Sequence, residues 1–328
     1  MFHRQLWANT NMRLNLLNIA VVLSLLASAC GQKKAEQFQA LPFPDVLPPA
    51  MMEDVQDRAE YMALNMWNAL MDTSRHYPCD SMLVSGVRIG DVEQKFVNWI
   101  QVLNMSGRGI AQKAILKIYD KSLSCEMADT SSNVFETISR LVETYLFDPN
   151  SPYRDEDYYG IYAGRLAGYD GLQAEMRGKY ANDARLCALN RVGTKATDFS
   201  FADRRGQIHT LYGIDSPYTL LFFSNPGCEA CMNIITVLKE EPVIAQMIST
   251  GRLAVLNIYI DEDLDAWRSY MPIYPQEWYN GFDPDFVIRN ETLYNVRAIP
   301  SLYLLDSEKT VLLKDAPENR VFDYIMQL

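Results

Sequence analysis

The chain has 328 residues, enough for two domains of ordinary size, each with its own core. It is acidic, with a formal net charge of -11. No basic footprint therefore marks nucleic acid as a partner.

The first segment, 12-MRLNLLNIAVVLSLLASACGQ-32, has one basic residue, an apolar run from Leu14 to Leu26, then small residues and a cysteine. That is the layout of an export signal. The run is shorter than the about 20 apolar residues that a bilayer span needs, so cleavage is expected over anchoring by a helix. Met12 would serve as a start as well as Met1, and either leaves the same mature chain. Ala27-Ser28-Ala29-Cys30 resembles a bacterial lipobox, with Ala in place of the usual Leu three residues before the cysteine. A signal peptide over 1–29 and lipidation of Cys30 are expected, with an ordinary secretory peptide and an idle Cys30 thiol as the alternative. Residues 30–50 form the tether. Four prolines in its last nine residues make it semi-rigid, with a reach of up to ~60 Å at roughly 3.1 Å per extended residue. Lys-Lys-Ala-Glu after Cys30 is not an acidic run and favours a lipid-anchored protein of the cell envelope facing the periplasm.

From 51 to 189 the apolar residues recur at helical spacing: Val55, Ala59, Met62, Met66 and Leu70, then Val92, Phe96, Ile100 and Leu103. A third helix runs from near Ile110 to Tyr119. A fourth follows the cap candidates Ser131 and Ser132, with Val134, Ile138, Leu141, Tyr145 and Leu146 on one face. Turn chemistry interrupts at 148-DPNSPYRDED-157, and further helices to Leu189 complete an all-α N-terminal domain. Its aromatic and Met stripes are read as packed core, and no chemistry is assigned to it.

From 190 to 328 the period falls to two. The stretch 199–214 predicts a hairpin turning at Arg-Arg-Gly, strands follow at 220–223 and 253–260, and a helix from Cys228 to about Lys239 lies between them. Strand, helix, strand implies a parallel pair with a crossover. The stretch 301-SLYLLDSEKTVLLKDA-316 is a second hairpin, and Pro317 opens a last helix with Val321, Phe322, Ile325 and Met326 inward. The order is that of an α/β thioredoxin-like domain, a mixed sheet flanked by helices.

Of six cysteines, Cys79, Cys125 and Cys187 are an odd set that can hold at most one disulfide. Cys79 with Cys125 is one option, and buried inert thiols are preferred. Cys228 and Cys231 form a Cys-x-x-Cys pair. A zinc site would need two more ligands, yet the chain has three histidines, one of them at position 3, and no second Cys-x-x-Cys, so no metal is expected. A peroxiredoxin-like peroxidase would carry threonine where Asn225 stands. The redox reading has a physical cause. A helix opening at Cys228 puts that sulfur at a helix N-terminus, where free N–H groups and the macrodipole favour a thiolate. Cys228 is then the nucleophile. Cys231, one turn on and on the face of Ile234, Ile235 and Leu238, is the shielded partner that resolves the mixed disulfide. No cofactor is required.

With Ile-Pro before the strand in 297-RAIPSLYLLD-306, the segment 190–328 resembles the exported, membrane-anchored thioredoxin-like oxidoreductases of the TlpA/ResA group. The whole chain, with "NRVGTKATDF" at 190–199 and "LYGI" at 211–214, is similar to an exported lipoprotein family with a helical N-terminal domain. The resemblance implies a cis Ile299-Pro300 bond facing the disulfide, with the Ile299 backbone pairing to an extended substrate segment. It also implies protein thiols and disulfides as substrates and a redox donor protein that restores the dithiol. Three positions depart from the pattern: Gly227 replaces the usual tryptophan, Phe222 the buried acid, and Ile234 a glutamate found in some relatives. Glu229 and Asp261 are candidate proton acceptors in their place. Glu229 is also expected to disfavour the thiolate and so to tune the pair towards reduction.

The expected function is an envelope-anchored thiol-disulfide oxidoreductase that reduces protein disulfides. The alternative is a lipoprotein binding module with a degenerate thioredoxin domain and a structural disulfide. An isomerase would need the helical domain to dimerise.

Overall fold

A computed structural model describes residues 39–77 and 80–328. The expected signal peptide, Cys30, the first part of the tether and Cys79 lie outside the described residues.

The helical region contains α1 (Val55–Asn65), α2 (Ile89–Met105), α3 (Arg108–Ala128), α4 (Val134–Val142), α5 (Glu156–Ala167) and α6 (Ala174–Cys187). A ribbon of two-residue strands, β1 (Leu83–Val84) and β2 (Val87–Arg88), precedes α2. Two of the helix starts are capped by aspartate: Asp54 accepts from the Asp57 N–H at 2.9 Å, and Asp155 from the Tyr158 N–H at 3.2 Å. The stripe Val92, Phe96, Ile100, Leu103 is buried as its spacing predicts, in one core with Trp67, Trp99 and Tyr162. The Trp99 indole N–H donates to the Ala63 carbonyl at 2.8 Å, which satisfies its polar atom inside that core. Val55, expected on the inner face, is 67% exposed because it opens α1. At its C-terminal end α4 widens into a π-turn, Glu143–Phe147. Such turns displace the residues that follow them and are common at functional sites.

The sheet has seven strands in the order β4-β3-β7-β6-β5-β8-β9. These are β3 (Ser200–Asp203), β4 (Ile208–Thr210), β5 (Tyr218–Phe223), β6 (Leu253–Tyr259), β7 (Tyr279–Phe282), β8 (Ser301–Asp306) and β9 (Val311–Leu313). β5, β6 and β7 run parallel, while the pairs β3–β4, β3–β7, β5–β8 and β8–β9 are antiparallel, so the sheet is mixed. Both hairpins and the parallel pair stand where the sequence pattern puts them.

β7 has no such pattern: its Tyr-Asn-Gly-Phe is short and poor in strand formers. Gly281 is needed there because a Cβ would lie 2.5 Å from the Phe201 ring on β3.

Alternation along each central strand builds two cores. Leu220, Phe222, Val255, Leu302 and Leu304 face α7 (Glu229–Glu240), α8 (Pro242–Ser249), α9 (Leu264–Tyr270) and α11 (Glu318–Ile325). Leu221, Phe223, Leu256, Tyr303 and Leu305 face the other side, with Ile288 of α10 (Val287–Asn290) and Tyr294. On α11, Val321, Phe322 and Ile325 are buried, but Met326 is 42% exposed because the helix ends at Ile325. The fold is a helical region followed by a thioredoxin-like α/β domain.

Candidate functional site

β5 is apolar on both faces and ends at Phe223, and the turn Ser224-Asn225-Pro226-Gly227 leads into α7. Gly227 has φ +75°, a backbone region that strains any L side chain, so this turn has no place for a tryptophan before the first cysteine. Cys228 is the N-cap of α7, and its Sγ accepts from the Cys231 N–H at 3.1 Å. Cys228 and Cys231 are joined in a disulfide with a Cα separation of 5.2 Å. Cys228 is half-buried, and Cys231 is 1% exposed. The pair thus offers one sulfur at the helix terminus and hides the other beneath it.

Cys231 belongs to the apolar core that also holds Phe222, Ile234, Tyr259, Trp267 and Leu302. Phe222, where related domains would keep an acid, is fully buried between Leu302 and Asn257 in the sheet. Neither proposed replacement is buried with that core. Glu229 is exposed in the first turn of α7. Asp261 is held at the turn before the cysteines, accepting from Asn225 Nδ2 at 2.7 Å and pairing with Arg289 at 3.0 Å.

A buried polar chain under the same turn has no counterpart in the sequence analysis. The Ser224 hydroxyl donates to Asn257, Asn257 Nδ2 donates to Asn280 at 3.0 Å, and Asn280 Nδ2 donates to the Pro275 carbonyl at 2.7 Å. Burial pushes the neighbouring Tyr274 phenol above its ordinary pKa. Asn257 interrupts the otherwise apolar β6 sequence LAVLNIY, and that lone polar residue was the available signal.

Ile299-Pro300 is cis and lies immediately before β8, whose Ser301 pairs with Phe223 at the end of β5. The loop therefore stands beside the cysteine turn. Its flanks are held from the helical region by buried charge. Glu156 Oε1 accepts from Arg297 Nε and Asn295 Nδ2, each at 2.7 Å. Arg297 donates to the Phe147 carbonyl at the π-turn, and its guanidinium lies 4.1 Å from the Phe147 ring. On the other flank the Ser301 hydroxyl donates to Asp315 at 2.7 Å, and Arg154 donates to the carbonyls of Asp315 at 2.8 Å and Ala316 at 3.1 Å. Lys314 sits between Glu156, at 3.1 Å, and the Cys187 carbonyl, at 2.6 Å. Burial pushes the carboxyls of Glu156 and Asp315 up, while Lys314 and Arg297 pull the first back and Arg154 the second.

Cys125 and Cys187 are free thiols among the described residues, both buried, and burial raises both above the ordinary thiol range. Cys187 is therefore poorly suited to nucleophilic work.

Comparison with known proteins gives three kinds of result. A family model described as Domain of unknown function (DUF5106) matches residues 26–167. No curated protein matches the chain. Among solved structures, a thioredoxin-like protein from Bacteroides caccae ATCC 43185 is 37% identical, with a TM-score of 0.71, over 86% of this chain and 98% of that one. The C-terminal domain of an uncharacterized protein from Bacteroides fragilis NCTC 9343 is 49% identical over 42% of this chain and 97% of that one, with a TM-score of 0.40.

Proposed function

Because the chain belongs to the family of the thioredoxin-like protein from Bacteroides caccae, we propose that it is a thiol-disulfide oxidoreductase that reduces protein disulfides through Cys228 and Cys231. The observation that carries this is the asymmetry of the pair: a half-buried sulfur capping α7 and a buried one a turn inside.

In the dithiol form the Cys228 thiolate attacks one sulfur of a substrate disulfide. A mixed disulfide forms, and the first substrate thiolate leaves and takes up a proton. Cys231 then loses its proton and attacks the Cys228 sulfur, which breaks the mixed bond, expels the second substrate thiol and leaves Cys228–Cys231 oxidised. Two electrons have passed to the substrate, and a dithiol donor protein returns them by the reverse exchange. Ile299 and Pro300 bound the place where the substrate segment would lie. Glu229, in the first turn, adds negative charge near the thiolate and favours a reducing couple. Lipidation of Cys30 would hold the protein at the cell envelope, facing the periplasm. Intact-mass measurement of the mature protein checks this, and a mature chain without acyl groups rejects it.

The decisive test uses the two sulfurs separately. Cys231→Ser, expressed in the native envelope, should accumulate mixed disulfides with partner proteins that vanish on reduction, and Cys228→Ser should accumulate few. In the reduced native protein Cys228 should alkylate far faster than Cys187. No adducts and equal reactivity would reject the proposal.

A second reading, a binding module with a structural disulfide, draws on Phe222, the buried apolar residue that stands where the resemblance places an acid, and on the exposure of Glu229. A reduction potential below about -300 mV would favour it.

A further inference from the structure

Beside the disulfide runs a groove of about 450 Å³ with walls from both parts of the fold. Ala230, between the two cysteines, and Asn233 form one side with Phe322 of α11, and Ile299 of the cis-proline loop closes the end. The opposite wall is Pro149 and Asn150, from the loop that joins the π-turn to α5 in the helical region. Because Ala230 lies between the two cysteines, a substrate segment bonded to Cys228 and lying along Ile299 would meet this wall.

The wall is preformed. The Asn150 N–H donates to Asp148 Oδ1 at 2.8 Å, the Ser151 hydroxyl to the Tyr145 carbonyl at 2.6 Å, and Arg154 ties the end of the loop to the carbonyls of Asp315 and Ala316. Arg154 is thereby engaged within the protein and does not offer its charge to a ligand. What remains facing the groove is mixed: apolar surface from Ile234, Ile299 and Phe322, the side-chain amides of Asn150, Asn233 and Asn319, and the exposed Glu318 carboxylate. Among the described residues no hydrogen bond reaches the main-chain N–H or C=O of Ile299. A free main-chain edge beside apolar surface, with amides that both donate and accept, matches an extended polypeptide, and the Glu318 carboxylate disfavours an anionic ligand.

We propose that the 148–154 loop of the helical region is a substrate-selecting wall. The groove takes an extended protein segment whose cysteine is flanked by apolar or uncharged polar residues rather than acidic ones. The cysteine chemistry of this proposal rests on the oxidoreductase reading above. The binding of the segment does not.

The test compares two disulfides of different size, insulin and hydroxyethyl disulfide, reduced by the purified protein. Asn150→Trp should lower the ratio of kcat/KM for insulin to that for hydroxyethyl disulfide at least tenfold, mainly through KM. Gln94→Trp, on an exposed face of α2, should keep the wild-type ratio. Asn150→Arg replaces the tryptophan variant if the latter lowers the melting temperature. In parallel, labelled carbamidomethylated insulin B chain, which has no disulfide and no added charge at its cysteines, is titrated against the oxidised protein by fluorescence anisotropy. It should bind wild type and bind Asn150→Trp at least tenfold more weakly. Binding that responds to the wall without any disulfide reduction keeps the groove and rejects the oxidoreductase. Reduction with an unchanged ratio and wall-independent binding rejects the groove and keeps the oxidoreductase. Parallel loss on both disulfides also rejects the groove, and absence of both reduction and binding rejects both proposals.

Discussion

The two arms of the site are held in opposite ways. The cysteine turn is positioned by its own neighbours: a strand that ends at Phe223, a left-handed Gly227 and a helix capped by Cys228. The Ile299-Pro300 loop is positioned by residues far away in sequence, with Glu156 reaching Asn295 and Arg297 across separations of 139 and 141 residues, and Arg154 reaching Asp315 across 161. One arm is local and largely backbone geometry. The other is a buried ionic assembly between the helical region and the sheet. The comparison teaches that the helical region need not carry chemistry to matter, because it holds the loop against which a substrate would lie.

Breaking the distant arm should have the largest effect. Glu156→Ala leaves Lys314 and Arg297 buried with one anion fewer, and breaking a buried ionic cluster from one side costs about 3–5 kcal/mol. Melting should move down by roughly 10 °C. Glu156→Gln keeps the shape and an acceptor for Arg297 and Asn295, so it should lose less than the alanine variant. If both variants melt with the wild type, the cluster does not hold the two regions together.

Breaking the core under the local arm comes next. Phe222→Ala opens a cavity beside Cys231 and should cost about 3 kcal/mol by denaturant titration, with an unchanged m-value. Because the defect lies within one core, it should add to Glu156→Ala with little coupling, within about 0.5 kcal/mol in the double variant. Strong coupling would mean that the two arms are not independent.

Within the turn itself, Gly227→Ala forces an L side chain to φ +75° and should cost on the order of 1 kcal/mol. No neighbour lies closer than 4.0 Å to the new Cβ, so the cost is backbone strain and not collision. A neutral or stabilising result would show that the turn relaxes freely, which would weaken the view that backbone geometry alone fixes the local arm.

The same division explains what the sequence made legible. Both hairpins, the parallel pair, the helix that opens at the cysteine pair and the cis position of Pro300 were within reach, because period-two runs, a Cys-x-x-Cys motif at a helix start and a family resemblance are signals carried by short stretches of sequence. β7 was not, since its residues are strand-like only in the company of Phe201 and β6. The clamp on the cis-proline loop was hidden for another reason. Glu156 and Asp157 fall at the end of the turn-rich stretch 148–157, where nothing along the chain marks them as buried, and only the tertiary fold brings Lys314 and Arg297 to them. The Ser224–Asn257–Asn280 chain announced itself through one asparagine in an apolar strand, a mark with no partner visible along the sequence.

The smallest effect concerns Glu229, the one charged residue between the two cysteines. It stands exposed in the first turn of α7, where the helix terminus would otherwise favour a thiolate on Cys228 without opposition. Its negative charge works against that thiolate, so it destabilises the reduced form relative to the disulfide and lowers the potential. Glu229→Gln removes the charge and keeps the shape. A charge at an exposed helix end is worth about 0.3–1 kcal/mol. At 30 mV for each 1.4 kcal/mol in a two-electron couple, the potential should rise by about 10–20 mV. Equilibration of both proteins in a series of dithiothreitol redox buffers resolves such a shift, and raising the salt concentration should shrink it, since the charge is exposed. A fall in potential, or a rise insensitive to salt, would mean that Glu229 acts through the turn's conformation, and the local arm would then depend on more than the helix terminus and the Gly227 backbone.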